Sequence, residues 1–188
     1  MSYLTVSDKS VMNVIERMFS NSVSKADIFN NLKYSYIRFT PESLAVKISS
    51  FITPEIKKKN RIPVYILAIV LIIRLCFSIV NFISFPQIRF IAIHWIVSII
   101  IWSITIMFLI GFLRYKLSYY TAAVSIYTFI VLFAAIKMFN QNGIMILLNL
   151  LCEVLTLIFL VLLRKRLFPN INLFGHVRKD GNKNFVFK

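Results

Sequence analysis

The chain has 188 residues, of which 59% are apolar and only 15% are charged. Soluble domains are on average about half apolar and about a quarter charged, so this composition indicates a protein that lies in lipid. The formal net charge of +15 raises the alternative of a nucleic-acid partner. The distribution of the basic residues along the chain, described below, favours a membrane surface instead.

The first part of the chain, residues 1–62, is mostly polar and contains repeated helix-start signals. Ser24 precedes Asp27, Thr40 precedes Pro41 and Glu42, and the sequence Thr-Pro-Glu recurs at residues 53–55. A capping residue followed by proline or an early acid is typical of a helix N-terminus. We predict short amphipathic helices here, which pack together, lie on the inner leaflet or form a binding surface. Because no strongly apolar stretch precedes them, we expect the first membrane helix to act as an uncleaved internal signal.

Four apolar segments follow, each long enough to cross a hydrocarbon core, which takes about 20 residues of helix. They are Pro63–Ser84, Phe90–Leu113, Ser118–Phe139 and Ile144–Leu163. The links between them are short, and short links make consecutive helices antiparallel neighbours. We therefore predict an all-α membrane protein whose residues 63–163 form an up-down bundle of four transmembrane helices.

The basic residues fall almost entirely on one side of this topology. Ten precede the first span, two lie in the second link and seven follow the last span, whereas the other side has only Arg89 and Lys137. Lys and Arg accumulate on the cytoplasmic side of membrane proteins, so we predict cytoplasmic termini and an anionic inner leaflet as the lipid partner. The expected cytoplasmic basic surface consists of Lys57, Lys58, Lys59, Arg61, Arg114, Lys116, Arg164, Lys165 and Arg166.

The last segment, residues 164–188, is a basic cytoplasmic tail. Asp180-Gly181 lies between short apolar stretches, which is typical of a hairpin turn. We predict a C-terminal β-hairpin here. Because an isolated hairpin is only marginally stable in water, we expect it to dock on the N-terminal helices or on a partner.

Two ionisable residues lie near the centres of spans, Arg74 in the first and Glu153 in the fourth. A central Arg costs about 2.5–3.5 kcal/mol on insertion scales, so we predict that the two residues form an ion pair inside the bundle. Each span also carries a polar stripe, and we expect the four stripes to face a common interior. The predicted intramembrane polar site comprises Arg74, Ser78, Asn81, His94, Asn149, Glu153 and Thr156, and the stripe of the third span comprises Thr121, Ser125 and Thr128.

No nucleotide-binding loop, zinc motif or nucleophile elbow occurs in the sequence. Cys76 and Cys152 match no metal or disulfide spacing. The spans lack the interior prolines and repeats of secondary transporters. We therefore expect no catalytic residues, no metal and no cofactor.

These features predict a non-enzymatic inner-membrane protein that recognises a partner protein or senses a perturbation of the envelope. The abundance of Ile, Asn, Lys and Phe is typical of an A/T-rich bacterial gene, and by analogy of architecture we expect a role in immunity, exclusion or antiviral defence. The first alternative is a homo-oligomeric ion or proton conduit lined by the polar stripes. The second is a membrane-anchored regulator whose N-terminal segment binds nucleic acid; because a membrane surface accounts for the charge, nucleic acid is the less favoured partner.

Overall fold

The computed structural model describes residues 8–34, 39–84, 91–140, 144–181 and 184–187. Eight helices lie in these ranges, and no strand occurs in them. The helices are α1 (Asp8–Ser20), α2 (Lys25–Leu32), α3 (Pro41–Ser50), α4 (Pro54–Lys59), α5 (Arg61–Ser84), α6 (Ile91–Leu113), α7 (Leu117–Asn140) and α8 (Ile144–Leu167).

The chain divides into two compact units. The helical unit comprises residues 1–57 together with 165–188, and the membrane unit comprises residues 58–164. The tail therefore belongs with the N-terminal helices although more than a hundred residues of chain separate them.

Capping residues fix the starts of the short helices in the helical unit. The Ser24 hydroxyl accepts a hydrogen bond from the Asp27 backbone N–H, and Thr40 does the same for Ser43. Pro41 occupies the first turn of α3, where its missing N–H has no partner to lose. The predicted helix starts at these two positions are confirmed.

Apolar residues spaced at helical intervals form the core of the helical unit. Val11 and Ile15 of α1, Ile28 and Leu32 of α2, and Leu44 and Ile48 of α3 are all buried and in mutual contact. Residues three or four apart lie on the same face of a helix, so each helix contributes one apolar face to this core.

The tail packs on this core through aromatic and charged side chains. The rings of Phe29 and Phe187 lie 5.4 Å apart, and Lys179 Nζ lies 3.6 Å from the carboxylate of Glu42. Two isolated antiparallel bridges join Ile171 to Val177 and Lys179 to Phe185. The second bridge encloses the Asp180-Gly181 turn, and these bridges are the only β pairing in the described part of the tail.

The membrane unit contains four helices that are long and apolar enough to cross a bilayer, which indicates a multi-pass membrane protein. Their stretches of highest hydropathy are Arg61–Val80, Trp95–Leu113, Leu117–Ile136 and Leu147–Leu167. Many large apolar side chains on them are exposed. A helix that is apolar on all sides is typical of a membrane span, because its outer face contacts lipid instead of water.

Helices α6 and α7 are joined by the turn Arg114–Lys116 and pack closely beside it. Tyr115 adopts a left-handed backbone conformation in this turn, with φ of 54°. The ring of Tyr119 lies against Gly111, at a position that a Cβ atom would occupy. The Tyr120 hydroxyl donates a hydrogen bond to the Phe112 carbonyl at 3.2 Å. Glycine at 111 thus allows α7 to approach α6 at this end of the two helices.

Candidate functional site

The ion pair expected between Arg74 and Glu153 is present in the structure. Arg74 Nη1 donates to Glu153 Oε2 at 2.8 Å, and Arg74 Nη2 donates to Glu153 Oε1. The two parallel hydrogen bonds give the bidentate geometry that a planar guanidinium and a carboxylate favour. Arg74 is on α5 and Glu153 is on α8, each near the middle of its span. The pair therefore links the first and last membrane helices.

The two members of the pair differ in accessibility. The Glu153 side chain is 4% exposed, whereas that of Arg74 is 36% exposed. Both carboxylate oxygens of Glu153 accept from Arg74, so its charge is compensated at close range. In an apolar surrounding such compensation is what makes a buried carboxylate tolerable.

Tyr127 of α7 completes the cluster around the guanidinium. Its hydroxyl accepts a hydrogen bond from Arg74 Nη1 at 3.4 Å, and its ring centroid lies 5.5 Å from Arg74 Cζ. A cation within about 6 Å of a ring face is attracted by the ring's quadrupole. Tyr127 was not among the predicted site residues. A tyrosine at the centre of a span could have indicated it, because a hydroxyl in the hydrocarbon core needs a hydrogen-bond partner.

A second interhelical hydrogen bond lies close to the pair. Trp102 Nε1 on α6 donates to Ser78 Oγ on α5 at 3.1 Å. Ser78 follows Arg74 by one helical turn, so the two side chains lie on the same face of α5. The edge of the Phe82 ring packs against Trp102, with 5.4 Å between ring centroids. Trp102 thus supports the polar face of α5.

A groove of about 1030 Å³ lies between α5, α6 and α8. Its polar lining consists of Arg74, Ser78, Ser98, Asn149, Glu153 and Thr156. Five of these belong to the predicted intramembrane site, and the sixth, Ser98, lies on α6. Apolar side chains such as Phe77 and Leu155 form the rest of the wall, and both are strongly exposed. The groove therefore opens on the outer, apolar surface of the membrane unit.

Two predicted site residues cannot be placed. Asn81 and His94 have helical backbones, in α5 and α6, but their side chains lie outside the described part of the structure.

The expectation that all four polar stripes face a common interior is wrong for two of the three stripe residues of α7, Ser125 and Thr128, whereas Thr121 accepts a hydrogen bond from Arg164 of α8. Ser125 and Thr128 are exposed, and their hydroxyls donate to the Thr121 and Val124 carbonyls of their own helix. A hydroxyl that bonds its own backbone four residues back needs no partner on another helix. Tyr127, not the hydroxyl stripe, is the residue that α7 contributes to the ion pair.

The predicted basic surface requires one correction. Arg164 is only 1% exposed, and its Nε donates to Thr121 Oγ1 at 3.3 Å. Helix α8 continues to Leu167, and the eleven residues from Glu153 to Arg164 make just over three full turns. Arg164 therefore shares the buried face of α8 with Glu153, Leu160 and Leu167. The other predicted basic residues are all exposed: Lys57, Lys58, Lys59, Arg61, Arg114, Lys116, Lys165 and Arg166.

A second cavity, of about 800 Å³, lies in the helical unit. Its wall includes the stacked rings of Phe19 and Phe51, whose centroids are 4.4 Å apart, and the Lys25 ammonium. Burial lowers the pKa of Lys25 below its usual value. Glu16 and Glu55 also line this cavity, so its charges favour no ligand of a single sign.

Comparison with protein-family models, with curated proteins and with solved structures finds no match to this chain.

Proposed function

We propose that this chain is a non-enzymatic protein of the bacterial inner membrane that recognises a partner membrane protein, in a system of immunity, exclusion or antiviral defence. The observation that carries the proposal is the ion pair of Arg74 and Glu153 at the wall of a groove on the outer, apolar surface of the membrane unit. Ionisable residues inside a membrane are costly, so their presence in an accessible groove favours a role in recognition.

The proposed topology is an up-down bundle with both termini in the cytoplasm. Contacts around the α6–α7 turn support an antiparallel pair, and the ion pair of α5 with α8 supports closure of the bundle. The proposed orientation rests on the nineteen basic residues assigned to one side and the two assigned to the other. Exposed Lys and Arg near the span ends would contact anionic headgroups, at about 1 kcal/mol each.

The geometry of the pair supports a binding role over a catalytic one. A general base needs a carboxylate oxygen that can accept a proton from substrate. In this cluster both oxygens of Glu153 are occupied by Arg74, and the carboxylate side chain is almost wholly buried. The accessible member is the permanently charged Arg74, which can donate hydrogen bonds but cannot exchange protons near neutral pH.

An affinity purification from membranes tests this proposal. The full chain, tagged at one end and solubilised in mild detergent, should recover a membrane protein in near-stoichiometric amount from challenged cells. The variant Ser103→Leu, which changes an exposed part of α6 outside the groove, should recover the same protein. Failure to recover any stoichiometric partner, with or without a phage or bacteriocin challenge, would contradict the proposal.

The second candidate is a homo-oligomeric conduit, favoured by the polar residues that follow one another along the groove. Two copies that face each other could enclose a polar path lined by Asn149, Glu153 and Thr156. Planar-bilayer recordings distinguish the two functions. A conduit should give discrete conductance steps that disappear on Asn149→Leu, whereas a recognition protein should give none at any potential or pH.

A further inference from the structure

The hydrogen-bonding capacity of Arg74 is only partly used. A guanidinium has five N–H groups. Two of them donate to Glu153 and one donates to Tyr127. The Nε hydrogen and one Nη2 hydrogen therefore have no acceptor among the described residues, and the side chain is 36% exposed where it lines the groove.

Asn149 adds a second polar group with free capacity on the opposite wall. It lies one turn before Glu153 on α8, lines the groove and is exposed. Its side-chain amide makes no hydrogen bond within the described part of the chain. In hydrocarbon an unsatisfied polar group costs several kcal/mol. The free protein therefore gains stability when the groove holds a molecule with hydrogen-bond acceptors.

The depth of the groove restricts what this molecule can be. Arg74 lies ten residues before the end of α5 and Glu153 lies nine residues after the start of α8, which is about 14–15 Å of helix in each case. The acceptor oxygens of lipid headgroups lie at the membrane surface and do not reach this depth. Apart from water, an acceptor at the bilayer centre must be carried there by a membrane-spanning segment.

The size of the groove fits a helix. Two turns of an α-helix about 10 Å in diameter occupy about 850 Å³. The groove has a volume of about 1030 Å³ and is lined by three helices. It can therefore hold about two turns of one further helix, with one side chain opposite Arg74.

A second copy suits the groove less well than a partner with a carboxylate or carboxamide opposite Arg74. The exposed hydroxyls of Ser125 and Thr128, which donate to carbonyls of their own helix, can still accept a hydrogen bond but are short and uncharged. The large side chains exposed beside them, such as Phe129 and Leu132, are apolar. Groove-to-groove packing, which would offer Asn149, also brings the two Arg74 guanidinium groups together, where like charges repel.

We infer that the groove between α5, α6 and α8 receives a transmembrane helix of another protein, and that an Asp, Glu, Asn or Gln at the centre of that helix accepts hydrogen bonds from Arg74. This inference rests on the proposed function, because it names the chemistry by which the partner is recognised. Arg74 and Asn149 supply the polar contacts, and Phe77 and Leu155 supply the apolar ones.

Model peptides provide the probe. The full chain carries a fluorescent donor on Cys76, which is exposed and lies outside the groove, and Cys152→Ser removes the second labelling site. Acceptor-labelled single-span peptides of leucine are reconstituted with it in vesicles. One peptide has Asn at its centre, one has Asn two turns away from the centre, and one has only leucine. Energy transfer as a function of peptide-to-lipid ratio gives the three affinities.

The peptide with central Asn should bind about threefold to thirtyfold more tightly than the other two, since interhelical hydrogen bonds in membranes contribute about 0.6–2 kcal/mol. Ser98→Leu, which fills the groove, should abolish this preference, whereas Ser103→Leu on the exposed part of the same helix should preserve it. Equal binding of the three peptides would overturn the inference. Energy transfer between copies of the chain that is lost in Ser98→Leu would also overturn the inference, because it would show that a second copy fills the groove.

The two proposals can fail separately. A cellular partner that is still recovered with Ser98→Leu would contradict the groove as its binding site and leave the proposed function intact. Selective binding of the central-Asn peptide, with no partner recovered from cells, would contradict the proposed function and leave the chemistry of the groove intact.

Discussion

Arg74 and Glu153 are 79 residues apart in the chain and form a bidentate ion pair between α5 and α8. The pair is asymmetric, because the carboxylate is enclosed and the guanidinium is partly open to the groove. This asymmetry suggests different roles for the two residues. Glu153 holds the arginine in position, and Arg74 presents its remaining donors to whatever occupies the groove.

Removing one charge of the pair should be more harmful than removing both. Arg74→Leu or Glu153→Leu leaves an uncompensated charge in the membrane, and breaking a buried pair in this way costs about 3–5 kcal/mol. The double Leu variant leaves no charge, and the swapped variant Arg74→Glu with Glu153→Arg restores a pair. We expect both double variants to recover at least part of the membrane accumulation and of the melting temperature in detergent. Normal accumulation and melting of both single variants would contradict this view of the pair.

Tyr127 should contribute mainly through its ring. Its hydroxyl contact with Arg74 is long, at 3.4 Å, whereas the ring lies at a distance typical of a cation–π interaction. Tyr127→Phe should lower the free energy of unfolding by less than about 0.6 kcal/mol, the mean value of an interhelical hydrogen bond in membranes. Tyr127→Leu should lower it by about 1–2 kcal/mol.

Thr128→Val is the matched control for Tyr127, since the exposed hydroxyl of Thr128 bonds only its own helix. It should unfold at the same denaturant concentration as the parent chain. Equal losses in Tyr127→Leu and in Tyr127→Phe would contradict the role of the ring.

Arg164 and Lys165 are neighbours that should respond differently to the same change. Arg164 is buried and donates to Thr121, whereas Lys165 is exposed. Arg164→Ala should lower the melting temperature of the full chain in detergent by several degrees, because it removes packing and leaves polar partners unsatisfied at about 1–3 kcal/mol. Lys165→Ala should remain within about 0.5 kcal/mol of the parent. Equal effects would place Arg164 on the surface, as the sequence alone suggests.

Lys25 should destabilise α2 at neutral pH. It lies in the first turn of the helix, where a positive charge opposes the helix dipole, and burial lowers its pKa. Lys25→Met should therefore increase protection of the α2 amides from hydrogen exchange, by about 0.3–1 kcal/mol from the dipole alone. Because the folded-state pKa is lowered, the parent loses this penalty as pH rises through that pKa towards the unfolded value of 10.5. The advantage of Lys25→Met should shrink over the same range.

Lys33 provides the control for this experiment. It lies at the other end of α2, and its ammonium donates to Asn30 Oδ1 at 3.1 Å. A cation at a helix C-terminus is favourable, so Lys33→Met should reduce the amide protection of α2 or leave it unchanged. Increased protection in both variants would show that added apolar surface, and not the charge, is responsible.

The sequence was sufficient to predict the four spans, because runs of about twenty apolar residues rarely occur outside membrane helices. It also predicted the helix starts at Ser24 and Thr40, where local capping decides the conformation. The pairing of Arg74 with Glu153 could be expected because both lie at the same depth and carry opposite charges. Depth along a helix follows from residue number alone.

The rotation of each helix about its axis was harder to predict. Tyr127 and the exposed Ser125 are only two residues apart, and the pattern of polar residues did not reveal which of them faces Arg74. Arg164 was misplaced because the apolar run ends before it, although its spacing of eleven from Glu153 places it on the buried face. The groove depends on the separation of α8 from α5 and α6, which no local pattern encodes.

The most direct test of the account is the topology of the chain in living cells. The proposed topology has both termini in the cytoplasm and four membrane crossings between them. It places the ion pair of Arg74 and Glu153 near the middle of the bilayer. Reporter fusions to each end measure this, because green fluorescent protein exported in unfolded form does not fluoresce and alkaline phosphatase is active only outside the cytoplasm. We predict fluorescent protein and inactive phosphatase at both ends. Active phosphatase at either end would contradict the four-span topology and the site built on it.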